Sequence, residues 1–392
     1  MMRTLADERI KINNRNIHYK VVSTVDSPEN QPFLLCIQGG PGFSSMSVEN
    51  AVTDIAKRAK KAKIPMPNLI FFDPVGCGKS DKAEDIEAEY SLDNYSDIAA
   101  QVVEHVKQKF SPNKTMDLRI FGGSFGGVAV MHLPLHCPQW LDEGSDIRLR
   151  QIIAYVAPNG AGCREYTRNF VDTNFKNHPE YQEIKFNLDK LLEGNIQNQQ
   201  EYLRFVFGLA PLYSDKMAKI KNGFVGRMLM NHTQGTIGVL KFFDKILGAF
   251  GNHSLSLMIE ALTGCSLDVL NQFFKTQMNG FDMTKLVAEN RELYAKVPIC
   301  MVACDQDHMV DWRTSADVSK ILPDTCASII VKGKHQQARE KGSREFFDNV
   351  FLGLICDGSI PSDELNKSLV ASYIAGGRFY NMLSQLASPI QT

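Results

Sequence analysis

Apolar residues fall in short unbroken runs through the first third of the chain, with helix-periodic stretches between them. Residues 10–12 and 17–22 read as the strands of a hairpin turning at Asn13-Asn14. Residues 33–37 and 68–72 are continuous apolar runs of strand length, and 118–121, 152–156, 299–303 and 328–331 extend the series. Strands that are apolar on both faces belong in a sheet covered on both sides. Residues 47–62 and 95–110 supply helices. In the second, Ile98, Val102, Val103 and Val106 form one apolar stripe. This alternation predicts an α/β protein with a mainly parallel sheet.

The alternation stops at about residue 160 and resumes at 297. The intervening stretch is rich in helical patterns and poor in strands. Tyr202, Leu203, Phe205, Val206, Phe207 and Leu209 form one apolar segment; Val269, Leu270, Phe273 and Phe274 form another at helical spacing. Such aromatics read as core rather than as a cofactor pocket. A helical insertion between two strands sits over the carboxyl edge of the sheet, where ligands bind in this class. The organisation expected is therefore a core of residues 1–159, a helical cap of 160–296, a second core part of 297–356 that ends in a helix over 343–354, and an extension of 357–392 read as one or two helices.

Composition narrows the function classes. Of the 392 residues, 44% are hydrophobic and 22% charged, as in ordinary globular proteins. A net charge of −1 supplies no global field for nucleic acid or an anionic membrane. The basic run from Lys57 to Lys63 reads as the solvated end of a helix. The nine cysteines form no C-x-x-C pair and no His/Cys metal spacing. No metal or cofactor is expected. The first fifteen residues lack the apolar core of a signal peptide, and no run reaches the roughly eighteen apolar residues of a membrane span. A reduced, soluble, cytoplasmic protein is the simplest reading. The sequence sets no oligomeric state.

The chemistry concentrates at Gly122-Gly123-Ser124-Phe125-Gly126. This is G-x-S-x-G at a strand-to-helix junction. Such a turn strains the serine backbone and exposes its hydroxyl. A serine hydroxyl needs a base, and the base needs an orienting carboxylate. At such an elbow the partners follow in the chain order Ser, Asp or Glu, His, each after a late strand. Strand 298–303 leads into Cys304-Asp305-Gln306-Asp307-His308, and strand 328–331 leads into Lys332-Gly333-Lys334-His335. Asp307 and His335 are 28 residues apart, room for one helix over 314–322 between adjacent parallel strands. Asp305 competes for the acid role. Asp307 is preferred because it sits deeper in the loop, before the apolar Met309-Val310. His308 reads as a surface histidine.

An oxyanion needs two preorganised donors. One expected donor is the N–H of Phe125, directly after the nucleophile. The other is the N–H of Gly40, in the turn Gln38-Gly39-Gly40-Pro41-Gly42 after strand 33–37. Two other patterns carry less. His132 and His136 lie four apart after the elbow, but Pro134 interrupts the helix and no third metal ligand suggests itself. Gly76-Cys77-Gly78-Lys79-Ser80 looks like half a phosphate loop, but Asp73 stands where the full pattern requires glycine.

Together these motifs resemble the proline iminopeptidase (prolyl aminopeptidase) branch of the α/β-hydrolases. That branch carries H-G-G-P-G, D-Q-R-G-x-G-x-S and G-G-S-W-G-G in this order. Here they stand as Gln38 to Gly42, Asp73 to Ser80, and Gly122 to Gly127. The resemblance covers about residues 30–160 and 297–340 and is weak in the cap. It implies the α/β-hydrolase fold: a mainly parallel eight-stranded sheet, helices on both faces and an inserted helical cap.

It further implies a serine aminopeptidase that releases N-terminal proline or a similar small residue from peptides. Ser124, Asp307 and His335 would be catalytic. The branch uses acidic cap residues, one in a W-x-x-W-E pattern, to hold the substrate amino group. That pattern is missing here. Glu165, Glu201 and Glu260 are the possible substitutes, and Gln38 replaces the branch's histidine at the head of the turn. Two alternatives stay open. One is a capped carboxylesterase or thioesterase without amine recognition, acting on a small ester. The other is a non-catalytic scaffold.

Overall fold

A computed structural model describes residues 3–23, 25, 28, 31–61, 66–213, 218–219, 223, 265–331, 334–335, 354–355 and 379–380. Its centre is one sheet. The strands are β1 (Arg3–Ile12), β2 (Arg15–Ser23), β3 (Phe33–Ile37), β4 (Asn68–Phe72), β5 (Met116–Gly123), β6 (Ile147–Tyr155), β7 (Ile299–Cys304), β8 (Cys326–Val331) and β9 (Phe379–Tyr380). They lie in the order β1-β2-β4-β3-β5-β6-β7-β8-β9. From β4 across to β8 every pairing is parallel; β1, β2 and β9 are antiparallel.

Eight strands form the body of the sheet. The ninth lies within the C-terminal extension, and the helices expected there fall outside the described residues. In this strand Phe379 and Tyr380 pair with Val331 and Ile330 and cover an edge that would otherwise expose unpaired backbone groups. The rest of 357–392 lies outside the described residues. So does most of the helix expected over 343–354, although Leu354–Ile355 is helical and buried.

Strand alternation explains why two helical layers are needed. Along β3, Phe33, Leu35 and Ile37 enter one apolar cluster while Leu34 and Cys36 enter another. The second cluster is closed by Val52, Ile55, Ala56 and Ala59 of α1 (Met46–Lys61). The first is closed by Ile98, Val102, Val103 and Val106 of α3 (Leu92–Phe110), which follows the short α2 (Ile86–Glu89). Val128 and Val130 of α4 (Phe125–His136) join it. Helix α4 runs through Pro134, contrary to the interruption expected there. Proline removes one intrahelical bond, and in the last turn of this helix that loss only brings the end nearer.

The hairpin turns at Asn13 and Asn14 with φ of 47° and 64°. Asparagine tolerates this left-handed conformation, and the pair makes the tight turn the sequence predicts.

Between β6 and β7 the described chain is helical: α5 (Gly160–Asn174), α6 (Tyr181–Leu192), α7 (Gln199–Gly208) and α8 (Ala210–Tyr213), then α9 (Leu267–Gln272) and a π-helical turn at Phe273–Gln277. Tyr202, Phe207, Leu209, Val269, Leu270, Phe273 and Phe274 are buried, so these aromatics are core. The segment returns onto the sheet's carboxyl edge, where the Ser266 N–H donates to Gly42 O at 3.0 Å. Helix α12 follows β7; it spans Arg313–Ile321, close to the expected 314–322. The short helices α10 (Met283–Glu289) and α11 (Arg291–Tyr294) precede β7.

Candidate active site

Ser124 sits between β5 and α4 with φ 54° and ψ −121°. This conformation is rare for a residue with a side chain and persists only where the surroundings enforce it. They do so here. A Cβ on Gly122 would lie 2.1 Å from Gly126 O, so the chain turns back on itself too closely for any other residue. The Ser124 N–H donates to Tyr155 O on β6 at 2.7 Å. The hydroxyl is thereby pushed out at the carboxyl edge of the sheet.

Two loops bring the other side chains to it. His335 follows β8, and its Nε2 lies 3.1 Å from Ser124 Oγ. Its Nδ1 lies 2.6 Å from Asp307 Oδ2. Asp307 is 1% exposed. Its other oxygen accepts from the N–H groups of Met309 and Val310, both at 2.9 Å. Those two bonds set the carboxylate's direction and identify why Asp307, not Asp305, faces the histidine. Asp305 is half-buried earlier in the same loop.

The turn after β3 lies against the elbow. A Cβ on Gly39 would be 2.9 Å from Gly123 O and 3.4 Å from the Ser124 Cβ. Gly40 adopts φ +68°, and a Cβ there would strike the Phe43 ring at 2.6 Å. Phe125 begins α4, where N–H groups have no intrahelical acceptor and the helix dipole favours negative charge. Its ring is buried, edge-on to Tyr95 at 5.4 Å and to Phe273 at 4.9 Å.

The remaining sequence candidates fall elsewhere. Gln38 is fully buried, its amide beside the Tyr95 hydroxyl. It lies beneath the turn rather than on a solvent-facing rim. Glu201 is held by the Lys190 ammonium at 3.0 Å and by the Gln197 N–H at 3.0 Å. Glu165 is exposed on α5, and Glu260 lies outside the described residues.

His308 is not a free surface side chain. It is half-buried and stacked on Phe170 of α5, with centroids 3.8 Å apart and planes at 14°. His132 bonds Ser96 Oγ through Nδ1 at 2.9 Å. Among the described residues no group of three or more His, Cys, Asp or Glu could hold a metal ion. In the G-K-S loop the N–H groups of Gly76, Cys77, Lys79 and Ser80 are all paired within the protein, so they form no phosphate nest.

Three residues that the sequence did not single out complete the surroundings. Tyr155 donates from its hydroxyl to His335 O at 3.2 Å while its carbonyl holds Ser124. The next residue, Val156, has φ +43°, an outlier for a β-branched side chain. Tyr166 of α5 donates to Asp307 O at 3.0 Å. Burial pushes the Tyr166 hydroxyl up to about 12, so it remains a donor at neutral pH. Tyr155 and Val156 stand at the end of β6, the only available signal for them; Tyr166, inside α5, carried none, and the pairings join segments far apart in the chain.

A parallel sheet flanked by antiparallel strands β1, β2 and β9, with a strained serine after its central strand and a histidine after a late one, defines the α/β-hydrolase fold. The solved structures agree. The chain is similar to a proline iminopeptidase from Mycobacterium smegmatis at 15% identity and a TM-score of 0.54, covering 90% of this chain and 98% of that one. It is also similar to a 2-hydroxy-6-oxo-6-phenylhexa-2,4-dienoate hydrolase from a Rhodococcus species at 14% identity and a TM-score of 0.50, covering 90% and 99%. A sequence model of the serine carboxypeptidase family matches residues 9–136. No curated protein matches the chain in sequence. Among the described residues no helix is long and apolar enough to cross a membrane.

Proposed function

We propose that this protein is a serine hydrolase working through an acyl-enzyme. The observation that carries the proposal is the unbroken chain from Ser124 Oγ to His335 Nε2 and from His335 Nδ1 to Asp307. His335 takes the Ser124 proton as the hydroxyl attacks a carbonyl carbon. Asp307 fixes the tautomer and stabilises the imidazolium that forms. The negative oxygen of the tetrahedral intermediate is met by the N–H groups of Phe125 and Gly40. His335 then passes its proton to the leaving group. Water releases the acyl group by the same route in reverse. No cofactor is needed for this sequence.

For the substrate, the first reading is a peptide with a free N-terminal proline or similar small residue. The three glycine-rich motifs and their order support it. A specific observation favours a second reading, a small ester or thioester. Glu201 is already paired with Lys190, and Glu165 is exposed on α5.

A direct comparison separates the readings. Turnover of a proline anilide, abolished when its nitrogen is acylated, is expected for an aminopeptidase. Turnover of a short uncharged ester alone removes that specificity and leaves the esterase. Failure of Ser124 to react with a fluorophosphonate in folded protein removes both and leaves a non-catalytic fold.

A further inference from the structure

The segment from Asp73 to Ser80 has no part in the chemistry above, yet its aspartate is among the most heavily bonded groups in the core. Asp73 is 3% exposed. Its Oδ1 accepts from the Ser45 N–H at 2.7 Å and the Ser45 hydroxyl at 2.8 Å. Its Oδ2 accepts from the Lys79 N–H at 2.9 Å and lies 3.0 Å from His18 Nδ1. On the far side, His18 Nε2 reaches Asp7 Oδ1 at 2.8 Å, and the Lys79 ammonium meets the same oxygen at 3.2 Å. Ser80 closes the unit: its hydroxyl donates to Asp73 O at 2.6 Å and accepts from the His18 N–H at 2.9 Å. Strands β1 and β2 and the loop after β4 are thus one bonded block.

That block grips one end of the turn that contains Gly40. The other end is fixed by β3, whose Ile37 pairs with Gly122 beside the nucleophile. Ser45 is the last residue before α1. Between Ile37 and Ser45 the chain has no regular structure; it is held midway at Gly42, which bonds the Ser266 N–H and the Tyr90 hydroxyl, and its far end is anchored at Ser45. Oxyanion donors lower a barrier only when they meet the developing charge at hydrogen-bond distance. A displacement of about 1 Å at such a group costs about 100-fold.

We propose that Asp73 is a positioning residue: by clamping Ser45 it sets the Gly40 N–H against Ser124, with His18 bridging it to Asp7 as an outer brace. The proposal rests on the hydrolase reading of Ser124. It also gives the Asp73 to Ser80 motif a role, since Ser80 and the Lys79 N–H are what orient the clamp.

The test uses the full chain and a fluorophosphonate, whose adduct places an oxygen where the oxyanion would be. Asp73→Ala is expected to lower kcat and the rate of Ser124 labelling together, by about 100-fold, with KM changed by less than about 3-fold. Asp73→Asn keeps an acceptor for Ser45 and is expected to lose less. If Asp73→Ala does not fold, Ser45→Ala removes a single bond of the clamp and is expected to lower kcat by about 5-fold, with recovery in Ser45→Thr. An Asp73→Ala or Ser45→Ala protein that melts at lower temperature but labels and turns over like wild type would overturn the proposal and leave a purely structural network.

Wild-type protein that does not label would instead remove the hydrolase reading. The clamp is then read by amide exchange over residues 38–45, which Asp73→Ala, or Ser45→Ala if that variant does not fold, should accelerate locally. Unchanged exchange there overturns it.

Discussion

His335 and His18 are built alike on one side and differ on the other. Each presents Nδ1 to a buried aspartate, His335 to Asp307 at 2.6 Å and His18 to Asp73 at 3.0 Å. Beyond Nε2 they part. His335 faces the Ser124 hydroxyl at 3.1 Å, while His18 faces a second carboxylate, Asp7, at 2.8 Å. A hydroxyl leaves the imidazole free to accept a proton and return it. Two carboxylates hold it as a cation. Burial pushes the His18 pKa down, but the bonds to Asp73 and Asp7 outweigh this and the net shift is upward. Asp73 moves the opposite way: burial raises it, and the bonds from His18, Lys79 and Ser45 pull it below the usual carboxylate range. The same residue pair thus suits the proposed proton relay at Ser124 or a fixed brace at Asp7, according to the third group.

The comparison breaks most visibly at the nucleophile. Ser124→Ala should lower kcat by about 10⁶-fold with the fold retained, measured by steady-state kinetics beside a thermal melt. Asp307→Asn should cost about 10⁴-fold, because an amide cannot hold the productive tautomer. Asp305→Asn should stay within a few-fold of wild type, and the reverse ranking would reassign the acid.

At the other histidine the loss falls on stability. His18→Gln removes one partner of a buried ion pair and should cost about 3 kcal/mol in denaturant unfolding. It should also change the pH dependence of stability. His18 in the folded state titrates above its unfolded value of about 6.5. Its contribution is therefore complete below that unfolded value and is lost as pH rises through the higher folded one. In the variant this alkaline decline should disappear. For Asp73 the sign is reversed: its contribution is present above the unfolded carboxylate pKa and lost as pH falls through the depressed folded value.

Smaller effects sharpen the contrast. Phe170→Ala removes the ring stacked on His308 and should cost about 1 kcal/mol, with a modest fall in turnover as the Asp307 loop loosens. Asp7→Asn should move the His18 titration downward in an NMR experiment, because one of the two carboxylates that raise it is gone. A His18 midpoint that stays put would show that Asp7 is not part of the brace.

The apolar run of β3 and the stripe of α3 needed no tertiary information, because each residue's face follows from the local period. The strand-end positions of Ser124, Asp307 and His335 were legible for a related reason: parallel strands joined by helices must deliver their carboxyl ends to one edge. The buried state of Gln38, the Glu201–Lys190 pair and the stacking of His308 on Phe170 were not legible. Each depends on which distant segment arrives beside it.

What the order of residues determined alone was the alternation of strand and helix, the tight glycine turn around Ser124, and the loops on which an acid and a base would stand. Only the tertiary structure decided which carboxylate meets which imidazole, that Tyr155 of β6 and Tyr166 of α5 bond those loops, and that Asp73 grips Ser45. The reason is physical. Backbone periodicity is a property of neighbours in the chain. A hydrogen bond between residues dozens of positions apart exists only once packing has brought them within about 3 Å.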